Sequence, residues 1–183
     1  MDDLSLHILD VAENSVAAGA TLVQIIIEED RAADRLVMVI EDNGHGMETE
    51  FLRRVLDPFV TTRTTRKVGL GLSLFQQSAQ EAEGDLTITS VPNQGTRVTV
   101  VMKHSHIDRK PMGNMVDTIL TLVEGNPEID FVYSHIRDGK RYTLDTREVR
   151  AILEEVPINH PEVTALIREN LREGLQEIGL RAR

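Results

Sequence analysis

Asp10 and Asn14 stand four residues apart in a stretch whose apolar positions recur at helical spacing, so their side chains share one helix face a turn apart. A carboxylate and an amide placed this way can hold a divalent cation and a water, although the same pair is common on solvated helix faces. A second group, Asp42, Gly44 and Gly46, directly follows a β-rich run. There an Asp accepts hydrogen bonds and glycines let a flat ligand approach the backbone, while Asn-Gly is equally the mark of a simple turn. Gly69 and Gly71 open a further helix, whose free N–H groups and positive dipole end suit an anion. Just before it, residues 51–68 carry Arg53, Arg54, Arg63, Arg66 and Lys67 against Asp57 alone. Such a local excess of positive charge in a chain of net charge −10 suits a polyphosphate ligand as well as a solvated loop.

The elements that must position these groups are legible from periodicity. Leu4, Ile8, Val11, Ala12, Ser15 and Val16 define a first helix over residues 3–20, with Gly19 where it stops. Leu22 to Glu28 and Leu36 to Ile40 are β-branched runs joined as a hairpin, and the loop EDNGHGM follows. Glu48 to Leu56 reads as a short helix ending before Pro58; Val60 to Val68 has no apolar period and reads as a mobile loop. A helix over Gly69 to Glu83 precedes a second hairpin, Leu86 to Val91 and Thr96 to Met102, turning at PNQG. This order predicts an α+β two-layer sandwich, a mostly antiparallel sheet with helices on one face. The polar stretch KHSHIDRKPM marks a boundary, dividing a domain over 1–104 from a small α+β unit over 105–183. In that unit the pattern predicts helices over Met115 to Val123, Thr146 to Glu155 and Pro161 to Leu180. A hairpin, Asp130 to Ile136 and Arg141 to Leu144, turns at Asp138-Gly139.

Composition narrows the function classes. Hydrophobic residues make up 40% and charged residues 27%, which supports a packed core rather than disorder. Aromatics are only 3%, and with the net charge of −10 this disfavours nucleic-acid binding through stacking or phosphate attraction. The absence of cysteine excludes disulfides, thiolate metal sites and a Cys nucleophile. The acidic N-terminus lacks a signal-peptide n-region, and no apolar run approaches the roughly 18 residues of a membrane span, so a cytoplasmic protein without membrane contact is expected.

Taken in order, the motifs resemble those of the GHKL superfamily of ATP-binding proteins with the Bergerat fold, which includes DNA gyrase-type topoisomerases, heat-shock chaperones and histidine kinases. HILDVAENSVAAGA is similar to the N box, EDNGHGM to the first glycine box, DPFVTTR to the start of the ATP lid and VGLGLSLF to the second glycine box. GTRVTV is similar to the strand whose Thr completes the adenine pocket, so the likeness covers about residues 4–102. The resemblance implies that Asn14 ligates Mg²⁺, that Asp42 accepts the adenine amino group, that Gly44 and Gly46 shape the base pocket and that Thr96 supports Asp42 through a hydroxyl or a water. It further implies that Gly69, Gly71 and the helix they open hold the phosphates, helped by Arg63, Arg66 or Lys67. At position 10, topoisomerases and chaperones carry Glu as a base and histidine kinases usually Asn. Asp10 keeps the carboxylate with one methylene less reach, so it is the candidate catalytic base.

The resemblance implies a histidine-kinase-like ATP-binding protein of stand-alone bacterial form, using ATP and Mg²⁺ for hydrolysis or for phosphoryl transfer to a protein. A non-catalytic nucleotide sensor that binds a partner protein is the alternative. His7 shares the stripe of Asn14 and reads first as a packing residue; His45 is expected at the pocket mouth, and His104 and His106 lack a third metal ligand. In the final helix Val163, Leu166, Ile167, Leu171, Leu175 and Ile178 form a stripe expected to close the core.

Overall fold

The computed structural model describes residues 3–56 and 70–180. The mobile-loop expectation for residues 60–68, the lid motif DPFVTTR and the site candidates Arg63, Arg66, Lys67 and Gly69 lie outside the described residues. Helix α1 (Leu4–Ala17) starts at Asp3, whose side chain accepts from the Leu6 N–H, and stops at Gly19, which takes a φ of +71° that favours glycine. Strands β1 (Leu22–Asp30) and β2 (Arg35–Asp42) form the first hairpin. Helix α2 is only Thr49–Leu52, shorter than the sequence suggests, because Arg54 and Val55 close three-residue turns onto Phe51 and Leu52 instead of continuing α-helical bonds. Helix α3 (Leu70–Glu81) leads into β3 (Asp85–Val91) and β4 (Gly95–Lys103), and α4 (Met115–Gly125), β5 (Asp130–Arg137), β6 (Lys140–Asp145), α5 (Thr146–Leu153) and α6 (Pro161–Glu177) follow.

The six strands form one sheet in the order β3-β4-β2-β1-β5-β6. All neighbours are antiparallel except β1 and β5, which run parallel with Val23 beside Phe131. The fold is thus the expected α+β architecture with a mostly antiparallel sheet. The β5–β6 hairpin, which follows the polar stretch at 103–112, extends the same sheet rather than forming one of its own. That stretch is tied down as well: the Leu4 and Ser5 amides at the open end of α1 donate to the Pro111 and Met112 carbonyls at 2.9 and 2.8 Å.

Strict alternation selects the core. Val23, Ile25 and Ile27 of β1, Leu36, Met38 and Ile40 of β2, and Val98, Val100 and Met102 of β4 all face the helices and are buried. Leu4, Ile8 and Val11 of α1, Phe75 and Ala79 of α3, Val116, Ile119 and Leu120 of α4, and Val163, Ile167 and Leu171 of α6 pack against them. Each such aliphatic side chain contributes about 1.5 to 3 kcal/mol on burial. Leu166 departs from the expected stripe and is 70% exposed, because α6 turns the 163–167–171–175 row inward instead. Gly174 keeps α6 close to β6, since a Cβ there would meet the Tyr142 ring at 2.0 Å.

At the far end of the core face, Glu29 is buried between two histidines. His135 Nε2 lies 2.8 Å from one carboxylate oxygen and His104 Nε2 2.9 Å from the other. Both ring nitrogens of His135 are satisfied: Nε2–H donates to Glu29, and Nδ1 lies 2.8 Å from the Tyr133 hydroxyl, which can donate to it or accept from it. Burial is the largest influence on Glu29 and pushes its pKa up. The hydrogen bonds from His135 and His104, with the charges of His135 and Arg137, outweigh it and bring the value from 4.5 down to about 2. The group therefore stabilises the fold fully above its unfolded pKa, and the contribution is lost as pH falls through the folded one. The gap corresponds to roughly 3 kcal/mol. Urea melts of wild type and Glu29→Gln should differ by that order at neutral pH and converge between about pH 5 and 2; a difference that stays constant down to the acid limit would contradict this account of the cluster.

Candidate functional site

The Ser15 side chain occupies a core-facing position of α1, and a hydroxyl buried there needs a partner. It donates to Asp42 Oδ2 at 2.6 Å, while the Gly44 amide donates to Asp42 Oδ1 at 2.9 Å. The carboxylate that ends β2 is thus held from both sides. The loop after it is stitched down at several points: the His45 amide donates to the Ala18 carbonyl at 2.9 Å, and Asn43 Oδ1 accepts from the Thr21 and Leu22 amides at 2.9 and 3.0 Å.

Two glycines let this loop meet the β3–β4 turn. Gly46 has φ +65°, and a Cβ on it would lie 2.1 Å from the Val91 carbonyl oxygen. Gly95 has φ +119°, and a Cβ there would lie 1.9 Å from the Asp42 carbonyl oxygen. Only glycine suits either place. Ser90 completes the junction, accepting from the Met47 amide at 2.8 Å and pairing with the Thr96 hydroxyl at 2.9 Å.

These elements enclose a cavity of about 450 Å³. Asn14, Asp42, Gly46 and Thr96 line it, with His45 and Asn93 beside them, and Val11, Val55, Leu72 and Val98 supply apolar wall. That is the size and character of a small-molecule site: mostly apolar, with a few converging polar groups. Gly44 is buried behind Asp42, packed against Ala18. Asp10 and Gly71 meet each other where α3 begins: a Cβ on Gly71 would fall 1.6 Å from Asp10 Oδ2, so the bare backbone of α3 gives the carboxylate its place.

Sequence reasoning singled out Asp42 but not its partner. Thr96 stands opposite Asp42 in the β2–β4 register, yet its hydroxyl pairs with Ser90, and the hydroxyl on Asp42 is that of Ser15. The available signal was a small polar residue within an otherwise apolar helix stripe. Gly95 and Ser90 were also missed, because a turn motif does not reveal which backbone atoms will lie against it. His7 is a packing residue, fully buried and stacked on Phe75 with ring centroids 4.9 Å apart. Burial first, and then the nearby Lys110 ammonium, lower its pKa from 6.5 to about 4, so it is neutral at physiological pH. His104 and His106 each face a carboxylate, of Glu29 and Glu83 respectively. Among the described residues no group of three His, Cys, Asp or Glu could hold a metal ion, and no helix is long and apolar enough to cross a membrane.

A nucleotide-sized pocket lies between an Asn-bearing helix and an Asp-Gly loop on a mixed sheet, an arrangement consistent with the Bergerat-type fold. Residues 2–106 match the family model described as histidine kinase-, DNA gyrase B- and HSP90-like ATPase, and the chain belongs to that family. It is similar to the signal transduction histidine-protein kinase AtoS of Escherichia coli, with 31% identity over 52% of this chain and 16% of that protein. It is likewise similar to the tetrathionate sensor histidine kinase TtrS of Salmonella typhimurium, with 34% identity over 51% of this chain and 16% of that protein. The chain thus spans about a sixth of the length of these relatives. A crystal structure of the N-terminal domain of a DNA repair protein shares the fold with a TM-score of 0.60 at 17% identity, covering 94% of this chain and 56% of that one. The matched segment is an ATP-binding, kinase-like domain.

Proposed function

We propose that the cavity binds ATP together with Mg²⁺ and that the chain, a cytoplasmic protein, hydrolyses the nucleotide or transfers its γ-phosphoryl group to a protein acceptor. Residues 1–104 form the ATP-binding domain in this reading, and residues 105–183 an extension built onto it. The observation that carries it is Asp42, a carboxylate anchored on both oxygens at the wall of an otherwise apolar cavity. Such a group is suited to accept a hydrogen bond from an exocyclic amine on a flat base. The oxygen donors fit a hard cation too: the Asn14 amide oxygen would hold Mg²⁺, whose remaining ligands come from phosphates and water. When bound, the ion neutralises charge developing on the phosphoryl oxygens. Asp10, one helical turn from Asn14, accepts the proton of the attacking water or hydroxyl. Gly69, Gly71 and the α3 N-terminus, with Arg63, Arg66 and Lys67, attract the phosphates.

A nucleotide sensor without turnover is the second reading, favoured by the bonds from the α1 amides to Pro111 and Met112, which tie the chain beyond residue 104 to the helix bearing Asn14. Incubation with γ-labelled ATP and cell lysate separates the two. Label on a discrete protein, or released phosphate, that falls by about a hundredfold or more in both Asp10→Ala and Asn14→Ala supports phosphoryl chemistry. Nucleotide binding without label or phosphate release supports the sensor, and no binding at millimolar ATP removes both.

A further inference from the structure

The loop that carries Asp42 is fastened from outside the cavity by its neighbour. Asn43 does not line the cavity. Its Oδ1 accepts from the Thr21 and Leu22 amides at 2.9 and 3.0 Å, and its Nδ2 donates to the Thr21 hydroxyl at 2.9 Å. Three bonds from one side chain thus pin the loop to the start of β1. The β3–β4 turn crowds the same backbone from the other side, since a Cβ on Gly95 would lie 3.0 Å from the Asn43 Cα.

Thr21 is itself held by the chain beyond residue 104. Its carbonyl accepts from the Asp130 amide at 2.9 Å, where β5 begins its parallel pairing with β1. The Asp130 carboxylate accepts from Arg150 Nε at 2.9 Å and from the Thr146 hydroxyl at 3.3 Å. Arg150 Nη2 also donates to the Pro127 and Ile129 carbonyls at 2.6 and 3.1 Å. One guanidinium on α5 therefore gathers the whole turn that leads into β5, and the rigid, planar fork of Arg suits it to that task.

We propose, on the reading of the cavity as the ATP site, that Asn43 and Asp130 are positioning residues joined through Thr21, so that residues 105–183 set the place of the Asp42 carboxylate. The step from Asn43 to the carboxylate is short. A turn of the Asn43 backbone moves the next peptide, whose Gly44 N–H fixes Asp42 Oδ1 at 2.9 Å. A hydrogen bond to a base amine weakens steeply once its acceptor is misdirected, whereas the grip on the phosphates lies elsewhere in the site. Bonds made in series also leave a signature: once the first is cut, cutting the second changes nothing further.

Calorimetric titration of the full chain in Mg²⁺, with ATP and with purine riboside triphosphate, tests the relay. The second nucleotide is ATP without the exocyclic amine, so the ratio of the two affinities reads the carboxylate alone, and a change in folded fraction or phosphate affinity cancels. Wild type should prefer ATP by about tenfold or more. Asn43→Ala should lower that preference at least about threefold. Asn43→Asp keeps an oxygen acceptor for both amides and should retain it, because the added charge acts on the two triphosphates alike. Arg150→Ala should lower the preference about twofold or more, and no further when combined with Asn43→Ala. An unchanged preference in Asn43→Ala or in Arg150→Ala would overturn the proposal, as would losses that multiply in the double variant or an Asn43→Asp no better than Asn43→Ala. Wild type that binds ATP without preferring it would overturn the role of Asp42 along with the relay, and wild type that binds neither nucleotide would remove the ATP reading itself.

Discussion

Asp42→Asn is expected to weaken ATP binding by about tenfold to a hundredfold, equivalent to roughly 1 to 3 kcal/mol. The amide cannot reproduce the carboxylate's surroundings, because both oxygens accept from fixed donors, the Gly44 amide and the Ser15 hydroxyl. In the best arrangement the Asn oxygen keeps the Gly44 bond and its NH₂ group turns to Ser15, whose hydroxyl must then accept. An NH₂ donor then stands where the carboxylate offered an acceptor, and a base amine is left with only the oxygen already held by Gly44. Calorimetric titration measures the effect, with a thermal melt confirming that the variant folds. Ser15→Ala, which leaves the carboxylate but frees one oxygen, should lose less. Equal affinity in wild type and Asp42→Asn would show that the nucleotide does not read this carboxylate.

Gly71→Ala should separate stability from activity. Alanine is about 1 kcal/mol better than glycine in a helix, so the melting temperature should hold or rise. The new Cβ would nevertheless occupy the place of Asp10 Oδ2, 1.6 Å away, and the first atom to yield is the end of that flexible side chain. If Asp10 is the base, turnover should fall about a hundredfold or more, towards the level of Asp10→Ala, and the double variant should be no worse than either single one. Additive losses would mean that Gly71 acts on the phosphates in its own right, and unchanged turnover would remove Asp10 from the chemistry.

Local patterns carry most of the fold. The helical stripe from Leu4 to Val16, the β-branched runs on either side of Arg31 and the Asp138-Gly139 turn each specify an element from its own neighbours. What depends on distant chain is not legible. Nothing near Leu22 indicates that β1 pairs with β5 as well as β2, because the partner residue, Asp130, lies far along the chain. The apolar outward positions Val37, Val39 and Val101 look like ordinary β-propensity until the register sets them side by side. In the site, residue types with distinctive chemistry, Asp42 and the glycines, were accessible, while Ser15 and Ser90 were not, since a serine acquires its role only from the atom it meets.

The parallel pairing of β1 with β5 also bears on how the chain acquires its shape. β1 is made early, yet one of its two hydrogen-bonding edges stays open until residues more than a hundred positions later have been synthesised. During that interval LVQIIIEED presents unpaired amides and carbonyls beside three consecutive isoleucines, an edge that pairs readily with another chain. Closing so long a loop adds little entropy cost per extra residue but delays the contact, so the central strand of the native sheet is among the last to gain its full complement of partners.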